Sequence, residues 1–196
     1  MKPILFNTDM VRLILDGKKN QTRRPIKDRD ITNSFDVDVD GTVAAYIDQE
    51  TGDSFAAIEL AKYSIGDVLY VRETWSTDKN GEYMYRTNYG VTMDDSFPPS
   101  MFKWKPSIHM PKEAARIFLK VTDVRVERLE DISDIGCEAE GIRPSVDGNG
   151  QDWRENENGW HRTFRQEWDS IYKEKGYGWD TNPWVFVYKI VRGEGE

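Results

Sequence analysis

Apolar residues fall along this chain in short runs, and the spacing within each run predicts an element. Ile4-Leu5-Phe6 reads as a short strand. Asn7 or Thr8 then suits the cap of a helix running to about Asp16, since its side-chain oxygen accepts an unpaired first-turn N–H. Val11, Ile14 and Leu15 share one helical face, and Gly17 suits the position just past the end. The stretch from Lys18 to Arg29 is strongly basic and contains Pro25, so it reads as a loop leading into a strand. Val37 and Val39 alternate with Asp before Asp40-Gly41, and Val43 to Ile47 follow, which is a hairpin pattern.

Further on, Gly66-Asp67 is a turn and Val68 to Val71 a buried strand, with another strand at Tyr83 to Tyr85. Residues 88 to 114 are irregular in pattern. Ile117, Leu119, Val121 and Val126 mark a long strand. Asp131 to Glu140 reads as a short helix with Ile132 and Ile135 facing inward and Gly141 ending it. Residues 143 to 160 are polar and read as a surface loop. Thr163 to Lys175 carries Phe164, Trp168, Ile171 and Tyr172 as an apolar helical stripe, and Trp184 to Val191 is a last strand. Several strands with interspersed short helices, and no regular βαβ alternation, predict an α+β domain around a mostly antiparallel sheet or barrel.

Composition narrows the class. The 196 residues suffice for one sizeable core with insertions, and 38% hydrophobic with 32% charged residues describes a well-hydrated globular chain. No run approaches the roughly 18 apolar residues of a membrane helix, and the opening apolar stretch is too short for a secretory signal. Cys137 is the single cysteine, so no internal disulfide forms; the expectation is a cytoplasmic protein. Two histidines, His109 and His161, lie far apart in sequence, so neither a metal site nor a cofactor is expected. A net charge of −8 argues against a protein that coats nucleic acid nonspecifically and leaves a local basic patch or a small nucleoside ligand.

The segment Gly17-Lys18-Lys19-Asn20-Gln21-Thr22-Arg23-Arg24 concentrates candidate chemistry. A Thr hydroxyl becomes a nucleophile when a neighbouring base takes its proton, and a Lys serves as that base when burial or a nearby cation lowers its pKa. On an extended strand Lys19 and Thr22 would point to opposite faces, so they meet only if Asn20-Gln21 form the centre of a turn. The alternative is a solvated basic loop after a helix.

Glu140 sits in the last turn of its helix, against the dipole, where it is either solvated or paired with a cation. Glu73, after the 68–71 strand, points inward or pairs at an edge. Trp75, Trp104, Trp179 and Trp184 either stack a base or pack the core. His109, between Ile108 and Met110, is either structural or part of a site.

The ordered set Gly17, Lys18, Lys19, Thr22 and Arg24, then Gly66-Asp67-Val68-Leu69, then the Val121–Val126 strand, Ala139-Glu140-Gly141-Ile142 and Trp184-Val185-Phe186-Val187 resembles the ASCH family. That resemblance implies a single PUA-like domain over 1–196, a mostly antiparallel β-barrel with short helices, carrying insertions near 30–60, 76–114 and 143–180. The Val71-Arg72-Glu73-Thr74-Trp75 and Pro106 to Pro111 stretches resemble a longer branch often encoded by phages and prophages. In ASCH amidohydrolases a Lys, a Thr and a Glu are proposed to deacetylate N(4)-acetylcytidine. Carried over, those catalytic roles fall to Lys19, Thr22 and Glu140. Arg24, Glu73, Trp75 and His109 would bind substrate, and Lys18, Arg23 and Lys27 would contact nucleic acid. The expected ligand is a modified nucleoside or RNA. The rival reading is a module that binds RNA or a modified base without chemistry.

Overall fold

A computed structural model describes residues 1–27, 34–37, 43–47, 54–89, 102–143 and 159–193. The main sheet has five strands: β1 (Lys2–Leu5), β2 (Gln21–Pro25), β6 (Val68–Arg72), β9 (Phe118–Arg128) and β10 (Trp184–Gly193), in the order β1-β6-β9-β10-β2. β1 runs parallel to β6 and the other neighbours are antiparallel. β3 (Ser34–Val37), β4 (Val43–Ile47) and β5 (Ser54–Ala56) form a separate three-stranded sheet, with β3 and β4 paired as the hairpin pattern predicts. The Asp40-Gly41 turn, Arg29 and nearly all of the 143–160 loop lie outside the described residues. β7 (Trp75–Thr77) and β8 (Tyr83–Tyr85) make a small ribbon.

The barrel expectation requires correction. The sheet is mixed and open, with β1 and β2 as its edges. The edges come close, but a side chain joins them: Arg24 of β2 donates to the Leu5 carbonyl of β1 at 2.8 Å and lies 5.2 Å from the Phe6 ring centroid. An edge carbonyl satisfied by a guanidinium has less need of a backbone partner.

β10 shows why the centre of the sheet reads as an unbroken apolar run. Successive side chains point to opposite faces, and both faces are covered. Phe186, Tyr188 and Ile190 enter a core with Ile4, Leu69, Val71, Val121 and the helix α1 (Thr8–Leu15), through Val11 and Ile14. Val185 and Val187 enter a second core against α2 (Asp134–Ala139) and α3 (Gly159–Tyr172), with Cys137, Phe164 and Trp168. Asn7 caps α1 by accepting from the Met10 N–H at 2.8 Å, and Ser133 caps α2 by accepting from Gly136 at 3.1 Å.

Two helix expectations shift. The residues before α2 form a separate 3-10 turn, Leu129–Asp131, so α2 starts three residues later than its pattern suggests. Ile135 faces solvent at 79% exposure, and the inward positions are Ile132 and Cys137. α3 begins at Gly159, and its apolar stripe packs on the main sheet, so this part of the 143–180 segment belongs to the core.

Candidate functional site

The segment between α1 and β2 is pinned by backbone hydrogen bonds on every side. The N–H groups of Lys18 and Lys19 both donate to the Leu13 carbonyl, at 2.8 and 3.1 Å. Asn20 donates to the Ala139 carbonyl and its own carbonyl accepts from Ile190. Asn20-Gln21 is therefore not the centre of a turn, because Asn20 bridges two elements and Gln21 opens β2. Lys19 lies just before the strand and escapes its strict alternation, which is how Lys19 and Thr22 come to line one cavity.

Glu140 reaches the same cavity from the C-cap of α2. The Lys19 ammonium donates to Glu140 Oε2 at 2.6 Å and to the Glu140 carbonyl at 2.8 Å. Arg23 Nη1 donates to Glu140 Oε1 at 3.0 Å, while Arg23 Nε and Nη2 both donate to Glu127 Oε1, at 2.9 and 2.6 Å. The Lys19, Arg23 and Glu140 side chains are 1%, 1% and 6% exposed. Arg125 extends the chain of charges outward, through Glu127 Oε2 at 3.0 Å. Buried charges are tolerated when each meets an opposite charge and a hydrogen bond, and this network provides both.

Gly141 makes the approach possible. Its φ of +85° lies in the left-handed region, and a Cβ there would stand 2.9 Å from Leu13 Cδ1 and 3.2 Å from Lys19 Cβ. Gly136 works similarly for Arg23, whose Nη2 would meet a Cβ at 3.1 Å.

Burial lowers the Lys19 pKa, against the pull of Glu140 that raises it. Two of its three ammonium protons are committed to Glu140. The Thr22 hydroxyl has no hydrogen-bond partner among the described residues. The cavity itself is about 30 Å³ and is lined also by Met10 of α1 and by Glu167, Ile171 and Tyr172 of α3.

The remaining expected residues divide. Arg24 lines the cavity and donates to the Tyr172 hydroxyl at 3.1 Å. Arg23, expected on phosphate, is buried and held by two carboxylates, so it is no surface contact. Lys18 is exposed, paired to Asp16 at 2.6 Å, and Lys27 is exposed. Glu73 does not line this cavity. It is 0% exposed and bound by Arg116 Nε at 2.9 Å and by the Thr87 hydroxyl at 2.7 Å, which anchors the 86–88 turn to the end of β6. Trp75 is buried in a third core with Met110 and Ala114, and His109 is exposed on a 3-10 turn. Among the described residues, no group of His, Cys, Asp and Glu could hold a metal ion, and no helix is long and apolar enough to cross a membrane.

Glu167 is the charged cavity residue that sequence reading missed. It falls three residues after Phe164 and four before Ile171, inside the apolar stripe of α3. A carboxylate on the inward face of an amphipathic helix was the signal.

No protein-family model matches the chain, and no curated protein does. Among solved structures, this chain is similar to an ASCH domain from Lactobacillus crispatus JV V101, at 12% identity and a TM-score of 0.40, covering 94% of this chain and 70% of that one.

Proposed function

We propose that the cavity between β2, α2 and α3 hydrolyses an amide on an N(4)-acylated cytidine. The observation that carries this reading is the meeting of Lys19, Thr22 and Glu140 at one cavity, although Lys19 and Glu140 stand 121 positions apart. Thr22 is the nucleophile, Lys19 its base, and Glu140 the anchor that holds Lys19 in place. Burial serves this role, because it moves the Lys19 pKa down from its ordinary value.

Cavity size decides how a substrate would fit. A volume of about 30 Å³ holds a water or a small acyl head, whereas sites for whole drug-sized ligands run to about 300–1,000 Å³. The acyl group would enter, and the base and sugar would stay outside the cavity.

One observation favours the rival reading, a binder of RNA or a modified base. The Lys19 ammonium is engaged by Glu140 at 2.6 Å, as a protonated lysine is, and a protonated lysine accepts no proton. The two readings separate on a panel of N(4)-acylcytidines with product analysis. Turnover that is lost in Thr22→Ala and partly kept in Thr22→Ser supports the hydrolase. Binding without turnover across the panel supports the reader.

A further inference from the structure

We infer that Glu167 is a further catalytic residue of this cavity, the general acid that protonates the departing nitrogen; the inference rests on the hydrolase reading above. Amide cleavage needs a proton delivered to a poor leaving group, and the other carboxylates near the site are engaged. Both oxygens of Glu140 are taken, one by Lys19 and one by Arg23. Glu73 sits elsewhere, held by Arg116 and Thr87. Glu127 is bound by Arg23 and Arg125. Glu167 lines the cavity beside Lys19 and Thr22, and no ion pair holds its carboxyl among the described residues.

The surroundings of Glu167 suit an acid. It projects from the stripe of α3 that includes Phe164, Trp168 and Ile171, so part of its hydration is lost. That burial raises its pKa, with Asp9 of α1 and Glu140 adding to the effect and Lys19 opposing it; Arg23 and Arg24 also line the cavity.

The Lys19 ammonium first passes a proton to Glu140 Oε2, its partner at 2.6 Å, and the Thr22 oxygen then bonds to the acyl carbon as the freed Lys19 amine takes the hydroxyl proton. The carbon–nitrogen bond then breaks, and the Glu167 carboxyl proton passes to the cytosine nitrogen, leaving an acyl ester on Thr22. Water attacks that ester while the Glu167 carboxylate takes a water proton, and the Thr22 oxygen leaves with the proton held by Lys19. Cytidine and the free carboxylic acid are released, Glu140 returns its proton to Lys19, and every group is back in its starting state.

The test compares two acyl donors, N(4)-acetylcytidine and p-nitrophenyl acetate, whose leaving group departs without a proton. Glu167→Gln is expected to lose about 10²–10⁴-fold in kcat/KM on the amide and only a small factor in kcat/KM on the ester, which reports acylation alone; turnover of the acyl ester on Thr22 should slow with both. The alkaline fall in kcat/KM on the amide should vanish with it, and Glu167→Asp should restore part of the rate. Thr22→Ala should lose both substrates. Glu167→Gln within threefold of wild type on the amide, with Thr22→Ala inactive, overturns the acid role and leaves the hydrolase reading standing. Equal losses in kcat/KM on both substrates, not rescued by Glu167→Asp, make Glu167 structural and overturn it too. A wild-type protein inert toward the amide overturns the hydrolase reading, and the acid role falls with it.

Discussion

Lys19 and Glu140 are joined at 2.6 Å, side chain to side chain, with a second bond from Lys19 to the Glu140 carbonyl at 2.8 Å. The pair locks the loop before β2 to the end of α2, and Arg23 fastens the same carboxylate from the strand itself. A rigid ion pair of this kind fixes the position of Lys19 relative to Thr22, whichever chemistry the cavity serves. It also makes the site a structural element, so substitutions there act on stability as well as on function.

Removing one partner of this pair should cost far more than removing both. Glu140→Ala strands the buried Lys19 ammonium and leaves Arg23 to Glu127 alone, and the loss is expected to be about 3–5 kcal/mol. The double variant Lys19→Met with Glu140→Leu should lie closer to wild type than either single change, because Arg23 keeps Glu127. Urea unfolding of the three variants measures this. A double variant as unstable as the sum of the singles would show that the pair is no coupled unit.

Salt dependence separates a polyanion from a small ligand. If single-stranded RNA is gripped through exposed cations, log affinity should fall with log salt by roughly 0.7 per phosphate contacted. Lys18→Ala and Lys27→Ala should each flatten that slope, since both are exposed. Arg23→Ala should instead unfold the protein more readily, because its guanidinium is buried between Glu127 and Glu140. A ligand whose affinity ignores salt marks a neutral nucleoside.

Glu73 and Arg116 form an asymmetric pair, the carboxylate fully buried and the guanidinium 28% exposed. Arg116→Met leaves a buried carboxylate with only the Thr87 hydroxyl, whereas Glu73→Gln leaves a cation that can reach water. The first should therefore destabilise more than the second, and thermal melts will rank them. Neither should change ligand affinity at the Lys19 cavity by more than a few fold, because Glu73 lines no part of it.

Alkaline pH should weaken the fold through Cys137. Burial pushes its thiol from 9.0 up to about 12, so between those values the folded chain holds a proton the unfolded chain has lost. Its contribution is whole below pH 9.0 and disappears as pH rises toward about 12. Tyr188, also raised to about 12 by burial, acts in the same direction from 10.0 upward. Lys19 acts oppositely, since burial lowers its pKa and the unfolded chain binds its proton more readily. Cys137→Ala should flatten the fall in urea midpoint that begins above pH 9.0 and precedes the tyrosine. An unchanged profile would remove the thiol from the account.

Local pattern by itself determined much of this molecule. The period-two run of β9, the four consecutive buried residues from Val185 to Tyr188, the Asn7 cap and the Phe164–Trp168 stripe are all written in neighbouring residues. The order of residue types also marked Lys19, Thr22 and Glu140. Tertiary structure alone decided how they meet. Whether Arg23 faced phosphate or carboxylate depended on Glu127 and Glu140, more than a hundred positions away, and no local spacing encodes such a partner. The open edge between β1 and β2 was equally invisible, because pairing between strands far apart in the chain is not written in either strand. Glu73 and Glu140 look alike in sequence as carboxylates at element ends. Their roles diverged because burial and charge pairing are properties of the assembled chain, where Arg116 claims one and Lys19 the other.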